Sequence, residues 1–161
     1  MPENGGERTG FGNFVIRGAK SADIPAVRSL DTRTTGLAKS DYWEDMFARY
    51  NERPNRFFLV AEGEDRSLVG FIIGEVRAWE FGSPPCGWIF ALEVDSAVRL
   101  QKVGSRMFEA MCACLAEAGV NTVRTMLARG DELNMAFFRS QGMMGGPFIQ
   151  LEMPVDRRRN G

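Results

Sequence analysis

Leu92-Glu93-Val94-Asp95-Ser96-Ala97-Val98-Arg99-Leu100-Gln101-Lys102-Val103-Gly104-Ser105-Arg106-Met107 reads as a strand end, a short loop and a helix start. The strand signal stops at Asp95. From Val103 the apolar residues Val103, Met107, Met111, Cys114 and Ala118 recur at helical spacing, and Gly119 ends the pattern after Glu117. Backbone N–H groups in such a loop, together with the first helical turn, form a cradle in which the helix dipole favours negative charge. Gly104 removes a side chain where the backbone would approach phosphate oxygens. Arg99, Lys102 and Arg106 add positive charge there, Lys102 being one of three lysines in the chain. The physical reading is a pyrophosphate site. The same arrangement also serves many folds as a plain connection, and it carries neither the Gly-x-x-x-x-Gly-Lys-Ser/Thr nor the Gly-x-Gly-x-x-Gly pattern.

Before this stretch, Phe14 to Lys20 reads as a strand running into a turn, and Ser21 or Asp23 caps a helix through about Leu30 with Ile24, Val27 and Leu30 on one face. Ser40 to Tyr50 is a second helix, stopped near Pro54. Phe57–Glu62 and Leu68–Trp79 are strands joined by the polar turn from Gly63 to Ser67, an antiparallel hairpin, and a further strand covers Trp88–Asp95. After the long helix come a strand at Thr122–Ala128, a short helix at Asp131–Gln141 between Asp131 as cap and Gly142 as stop, and a last strand at Phe148–Val155. This order predicts an α/β (α+β) domain with a mixed, mostly antiparallel sheet and helices on both faces. Residues 1–13 read as a flexible N-terminal arm, 14–155 as a single domain and 156–161 as a solvated basic tail around Arg157-Arg158-Arg159.

Composition narrows the chemistry. The 161 residues carry 20 basic and 21 acidic side chains, a balance that argues against nucleic-acid or anionic-membrane partners. There is no histidine, which removes Ser-His-Asp and Cys-His nucleophile systems, HExxH zinc hydrolases and any imidazole base. Cys86, Cys112 and Cys114 are odd in number and unlike a disulfide framework, so a reducing, cytoplasmic setting is expected. Cys112-x-Cys114 lies in a helical pattern, where residues two apart point to different faces, so no metal site is expected.

Strand-loop-helix at Leu92–Met107, with three strands before it and a strand, a short helix and Gly142-Met143 after it, resembles the GNAT superfamily of acyl-CoA N-acyltransferases. The resemblance runs from about Phe14 to Val155. The family's Q/R-x-x-G-x-G/A signature is similar to Arg99-Leu100-Gln101-Lys102-Val103-Gly104, with Lys102 in place of the first glycine and Ser96 in place of a usual proline. Phe138-Arg139-Ser140-Gln141-Gly142-Met143 matches the second signature in spacing. The resemblance implies an acyl-CoA N-acyltransferase, with acetyl-CoA as co-substrate and no metal. It implies that Leu92, Glu93 and Val94 offer backbone groups to the pantetheine arm. Leu100, Gln101, Lys102, Val103, Gly104 and Ser105 would hold the pyrophosphate, with Arg99 and Arg106 nearby. The short helix would line the other side of the thioester, with Asn134 supplying an amide in a shifted register. Phe138 stands where many members place a tyrosine that protonates the departing thiolate, and a phenyl ring cannot donate a proton.

The implied reaction is direct attack of a primary amine on the thioester in a ternary complex. With no histidine, a carboxylate acting directly or through water is the default base. Glu93 is the first candidate and Glu75, central in the preceding strand, the second; the plain alternative for each is a solvated face or an ion pair. The acceptor, a small molecule, a peptide N-terminus or a protein lysine, is expected to meet the segment from Gly36 to Pro54, where Asp41, Glu44 and Asp45 stand beside Tyr42, Trp43 and Phe47. Aromatics spaced like Trp43, Phe47 and Tyr50 equally suit a core or a homodimer. The alternative to an enzyme is a catalytically weak or inactive acyl-CoA-binding module of the same fold.

Overall fold

The computed structural model describes residues 13–39, 41–51 and 53–155, without the side chains of residues 99–101; the arm before Asn13, Ser40, Glu52 and the basic tail lie outside the described residues. Its frame is the hairpin of β2 (Arg56–Gly63) and β3 (Leu68–Arg77), closed where Gly63 N–H donates to Ser67 O at 2.8 Å and Asp65 accepts from Ser67 N–H at 3.0 Å. β1 (Phe14–Gly18) adds antiparallel to β2, and β4 (Cys86–Val94) adds antiparallel to β3. β5 (Val123–Arg124) pairs parallel to β4, so the five strands lie in chain order, all antiparallel but the last.

Helices cover both faces, as period-two alternation along the strands requires. Phe58, Val60, Phe71 and Ile73 point to one side, where α1 (Ile24–Thr35) and α2 (Tyr42–Tyr50) bring Ile24, Val27, Leu30, Trp43 and Met46 into the same cluster. Trp43 meets Phe71 edge to face at 5.0 Å. On the other side α3 (Val103–Glu117) lies against glycines: a Cβ at Gly70 would fall 2.8 Å from Met107 Cε, and one at Gly74 2.9 Å from Met111 Sδ. The buried stripe of α3 is Val103, Met107, Phe108, Met111 and Leu115, so the expected continuation through Cys114 and Ala118 is corrected by one position. Leu115 fills the space above Gly87, where a Cβ would come within 2.5 Å of it.

Two strands differ from expectation. The strand expected at Thr122–Ala128 has only two paired residues, because Thr125 Oγ1 donates to Ile89 O at 2.7 Å in place of a backbone ladder. The last strand expected at Phe148–Val155 does not form. Its alternating pattern is real, but a strand exists through pairing, and Pro147 and Pro154, which lack N–H donors, bracket it.

The chain forms two compact units, one ending at Met126 and one beginning at Leu127. The second unit holds α4 (Glu132–Ser140), whose Asp131 cap accepts from Asn134 N–H at 3.2 Å. Gly142, at φ +98°, turns the chain out of α4: its N–H reaches Arg139 O and Met143 N–H reaches Phe138 O, both at 3.0 Å. That is a Schellman closure, and it explains the spacing from Phe138 to Gly142-Met143 in purely backbone terms. No helix among the described residues is long and apolar enough to cross a membrane.

Candidate active site

β4 is broken at its middle. Ile73 faces Ala91 and Gly74 faces Ile89, so Phe90 is an extra residue that bends the strand. β5 accompanies β4 only at Gly87 and Trp88. From Phe90 to Val94 the outer edge of β4 therefore has no strand beside it among the described residues. Leu92 and Val94 turn their backbone groups to this outer edge, whereas the alternation set by the Asp95 N–H to Val69 O bond turns the Glu93 backbone inward to Phe71 of β3, a correction to the expectation that all three offer backbone groups outward.

Asp95 organises the loop that follows. Its N–H bonds Val69 O at 2.8 Å, its side chain accepts from Ala97 N–H at 3.0 Å, and Arg33 of α1 reaches its carboxylate at 3.2 Å. Residues Ser96–Gln101 form a 3-10 turn; the side chains of Arg99, Leu100 and Gln101 lie outside the described set. Lys102 then adopts the left-handed conformation at φ +59° and its side chain is exposed. The first α-helical backbone bond of α3 runs from Arg106 N–H to Lys102 O at 3.1 Å, so the N–H groups ahead of it point out of the positive end of the helix dipole. Val103 is buried, Gly104 and Ser105 are half-buried, and Arg106 holds its guanidinium 4.4 Å over the Phe14 ring.

The two candidate bases share a sheet face and differ in company. Glu75 accepts from Tyr50 Oη at 2.8 Å and pairs with Arg77 at 3.1 Å and Arg56 at 3.7 Å. Glu93 is half-buried opposite Phe71, within hydrogen-bonding reach of a second carboxyl, that of Asp31 on α1. Asp31 is 1% exposed; Trp43 Nε1 donates to its Oδ2 at 3.0 Å and Lys39 Nζ to its Oδ1 at 3.0 Å. Burial alone would raise the Asp31 pKa, but its bonds to Glu93, Lys39 and Trp43 outweigh that and hold it below the usual carboxylate range. For Glu93, burial and then the hydrogen bond and charge of Asp31 push the pKa up to about 8 against the opposing charge of Lys39. Asp31 and Lys39 escaped the sequence reading. The signal was present: Asp31 stands seven residues after Ile24, on the buried stripe of α1, where an acid needs a partner.

Of the expected acceptor segment, Trp43 and Met46 belong to the core, Glu44 is paired with Arg28, and Tyr42 keeps an exposed ring with Lys39 5.7 Å from its centroid. In the second unit, Asn134 Nδ2 donates to Asp131 Oδ2 at 2.8 Å, bridging back across the first turn of α4. Phe138 is buried and meets Phe137 edge to face at 5.2 Å.

The model of the acetyltransferase (GNAT) family matches residues 24–143, a span that takes in both motifs. The chain belongs to the GNAT acetyltransferase family. No curated protein matches it. Among solved structures, the aminoglycoside acetyltransferase meta-AAC0020 from an uncultured soil metagenomic sample, in complex with sisomicin, superposes with a TM-score of 0.72 at 18% identity over 89% of this chain and 97% of its own. Aminoglycoside 6'-N-acetyltransferase AAC(6')-Ih from Acinetobacter baumannii gives 0.76 at 9% identity over 89% and 100%. AAC(6')-Iy, in complex with the bisubstrate analogue CoA-S-monomethyl-acetylneamine, gives 0.77 at 11% identity over 89% and 99%. These identities establish a shared fold. Within this GNAT protein, Lys102 has a physical reading: the backbone there is left-handed, the conformation glycine adopts freely and other residues adopt at a cost of about 1–2 kcal/mol.

Proposed function

We propose that this GNAT protein is an N-acetyltransferase that moves an acetyl group from acetyl-CoA to a primary amine by direct attack within a ternary complex. The observation that carries the reading is Glu93, a half-buried acid with a raised pKa on the stretch of β4 whose outer edge has no strand beside it among the described residues. Outward-facing backbone groups of Leu92 and Val94 are the partners for the pantetheine arm, and the N-terminus of α3 from Lys102 to Ser105 is the partner for pyrophosphate. The acetyl-CoA thioester supplies an activated acyl carbon. Glu93, once ionised, takes a proton from the acceptor ammonium, directly or through one water. The freed amine nitrogen forms the N–C bond and passes its second proton to water as the C–S bond breaks; the thiolate takes a proton from water, since a thiol of pKa about 8.5 leaves without a strong acid. One proton is released overall. Glu75, committed to Tyr50 and two arginines, serves as an anchor in this scheme.

The acceptors to test first are small polyamines and aminosugars, because the meta-AAC0020 structure holds sisomicin and the AAC(6')-Iy structure a neamine-derived analogue. Peptide N-termini and protein lysines follow. Free Cys86, Cys112 and Cys114 support a reducing, cytoplasmic setting. Thiol release from acetyl-CoA, measured across the amine panel, is the test: amine-dependent release is the expected result. The phenyl side chain of Phe138 favours one second reading, an acyl-CoA-binding module without turnover. Tight acetyl-CoA binding with no amine-dependent release at any pH establishes that reading instead.

A further inference from the structure

We propose that Asp31 is a positioning residue for Glu93: clamped by Lys39 and Trp43, it holds one proton between the two carboxyl groups, so that Glu93 acts as a base only once that proton has left. The inference rests on the reading of Glu93 as the base and adds the device that sets when it works.

The geometry carries it. Asp31 is buried, yet both its oxygens receive charged or indole donors: Lys39 lies 3.0 Å from Oδ1 and 2.9 Å from Oδ2, and Trp43 Nε1 3.0 Å from Oδ2. Those donors favour the carboxylate form of Asp31. Lys39 is held in turn over the Trp43 ring at 5.6 Å, and Trp43 is packed against Phe71, the cross-strand partner of Glu93. Glu93 Oε2, by contrast, is buried with no hydrogen-bond donor in reach among the described residues. Two ionised carboxylates in contact would leave that oxygen unpaired and add like-charge repulsion. One O–H donated from Glu93 to Asp31 removes both costs.

Among the described residues no other charge acts on Glu93. Asp31 from α1 and Lys39 from the loop before α2 are the groups acting on Glu93, and β3 offers only the phenyl ring of Phe71. Neighbouring charges of α1 are committed elsewhere, Arg28 to Glu44 and Arg33 to Asp95. The pair therefore titrates as a unit, Asp31 at low pH and Glu93 near 8. In turnover, Glu93 in its ionised form accepts the proton of the acceptor ammonium, restores the shared O–H to Asp31, and returns that proton to solvent before the next cycle.

The test has two readouts. Carboxyl carbon NMR titration of the free full-length protein gives the Glu93 midpoint without reference to any activity, and the pH profile of kcat/KM gives the kinetic one. In Asp31→Asn, which removes the neighbouring charge and supplies an amide donor, both midpoints are expected to fall by at least about one pH unit. In Lys39→Met, which removes the opposing cation at the surface, both are expected to rise. The opposite signs separate a proton-holding pair from general loosening of the fold, and Lys39→Met serves alone should Asp31→Asn not fold. A Glu93 midpoint that stays unchanged in the folded variants overturns the proposal. A shift seen by NMR in a protein that releases no thiol with any amine leaves the pair intact and removes the acetyltransferase reading.

Discussion

Glu93 and Glu75 stand on adjacent strands, point to the same face of the sheet and flank the same bulge at Phe90, yet they live in opposite chemical company. Glu75 has two donors, the Tyr50 hydroxyl and the Arg77 guanidinium, and an ion pair with Arg56. Glu93 has a fellow acid. Donors around a carboxylate hold it in place, whereas a carboxyl facing another carboxylate is held protonated and titrates late. Position on the strand does not distinguish the two residues; the helix above them does. α2 places Tyr50 over one, and α1 places Asp31 beside the other.

Breaking the Glu93 side of the contrast has the largest expected effect. Glu93→Gln is expected to lower kcat/KM for amine acetylation by about 100-fold to 10,000-fold, the range for loss of a general base. It is also expected to flatten the rise of rate with pH through about 8 that the wild type is expected to show. Initial rates of thiol release between pH 6 and 9.5 measure both. A variant that keeps the wild-type profile puts the base elsewhere.

Breaking the Glu75 side should read in stability. Glu75→Ala removes the acceptor of Tyr50 and leaves two arginines without their shared anion, at an expected cost of about 2 kcal/mol in denaturant unfolding. Its kcat/KM is expected to stay within about threefold of wild type. A loss comparable to that of Glu93→Gln would place both acids in the proton path and dissolve the contrast.

How far the sequence shows this difference depends on the range of the interactions. The hairpin, the span of α3 from Val103 to Glu117 and the closure of α4 at Gly142 are local: turn residues, a helical stripe and one glycine define them. The GNAT family is legible for the same reason, since both its motifs are short runs of backbone-determining residues. What the sequence hides is non-local. Leu115 buries where Cys114 is expected because Gly87, 28 positions earlier, leaves a gap. Phe148–Val155 alternates like a strand but does not form one. The Asp31–Glu93 pair joins residues 62 positions apart, and no local pattern of either one announces the other.

A smaller effect tests the pair through folding rather than rate. The folded-state pKa of Glu93 is raised above its unfolded value, so between about pH 5 and pH 8 the folded protein binds more protons than the unfolded chain. Stability from this group is therefore present in acid and declines as pH rises toward 8. Asp31 and Asp23, whose pKa values are lowered, act in the opposite sense and withdraw stability as pH falls below about 4. Unfolding curves of wild type and Glu93→Gln across pH 5 to 9 should converge in slope only if Glu93 is not the group responsible; the expected result is a decline in the wild type that the variant lacks.

The smallest change isolates one oxygen. Tyr50→Phe deletes the hydroxyl that donates to Glu75 and keeps the ring, which packs edge to face on Phe90 at 5.5 Å and lies 5.2 Å from the Arg56 guanidinium. Those ring contacts hold the bulge of β4 in place, so the open edge ahead of Leu92 is expected to keep its shape. The tyrosine proton itself is held tightly, since burial and then Glu75 raise its pKa well above the ordinary phenol value. Loss of one hydrogen bond to a charged acceptor that retains two arginines should cost about 1 kcal/mol in unfolding and leave kcat/KM unchanged. A tenfold fall in kcat/KM with the fold intact would mean that the hydroxyl belongs to the reaction. Glu75 would then have to be read as the partner of a catalytic tyrosine, and the division of labour between the two corners would fail at its quieter end.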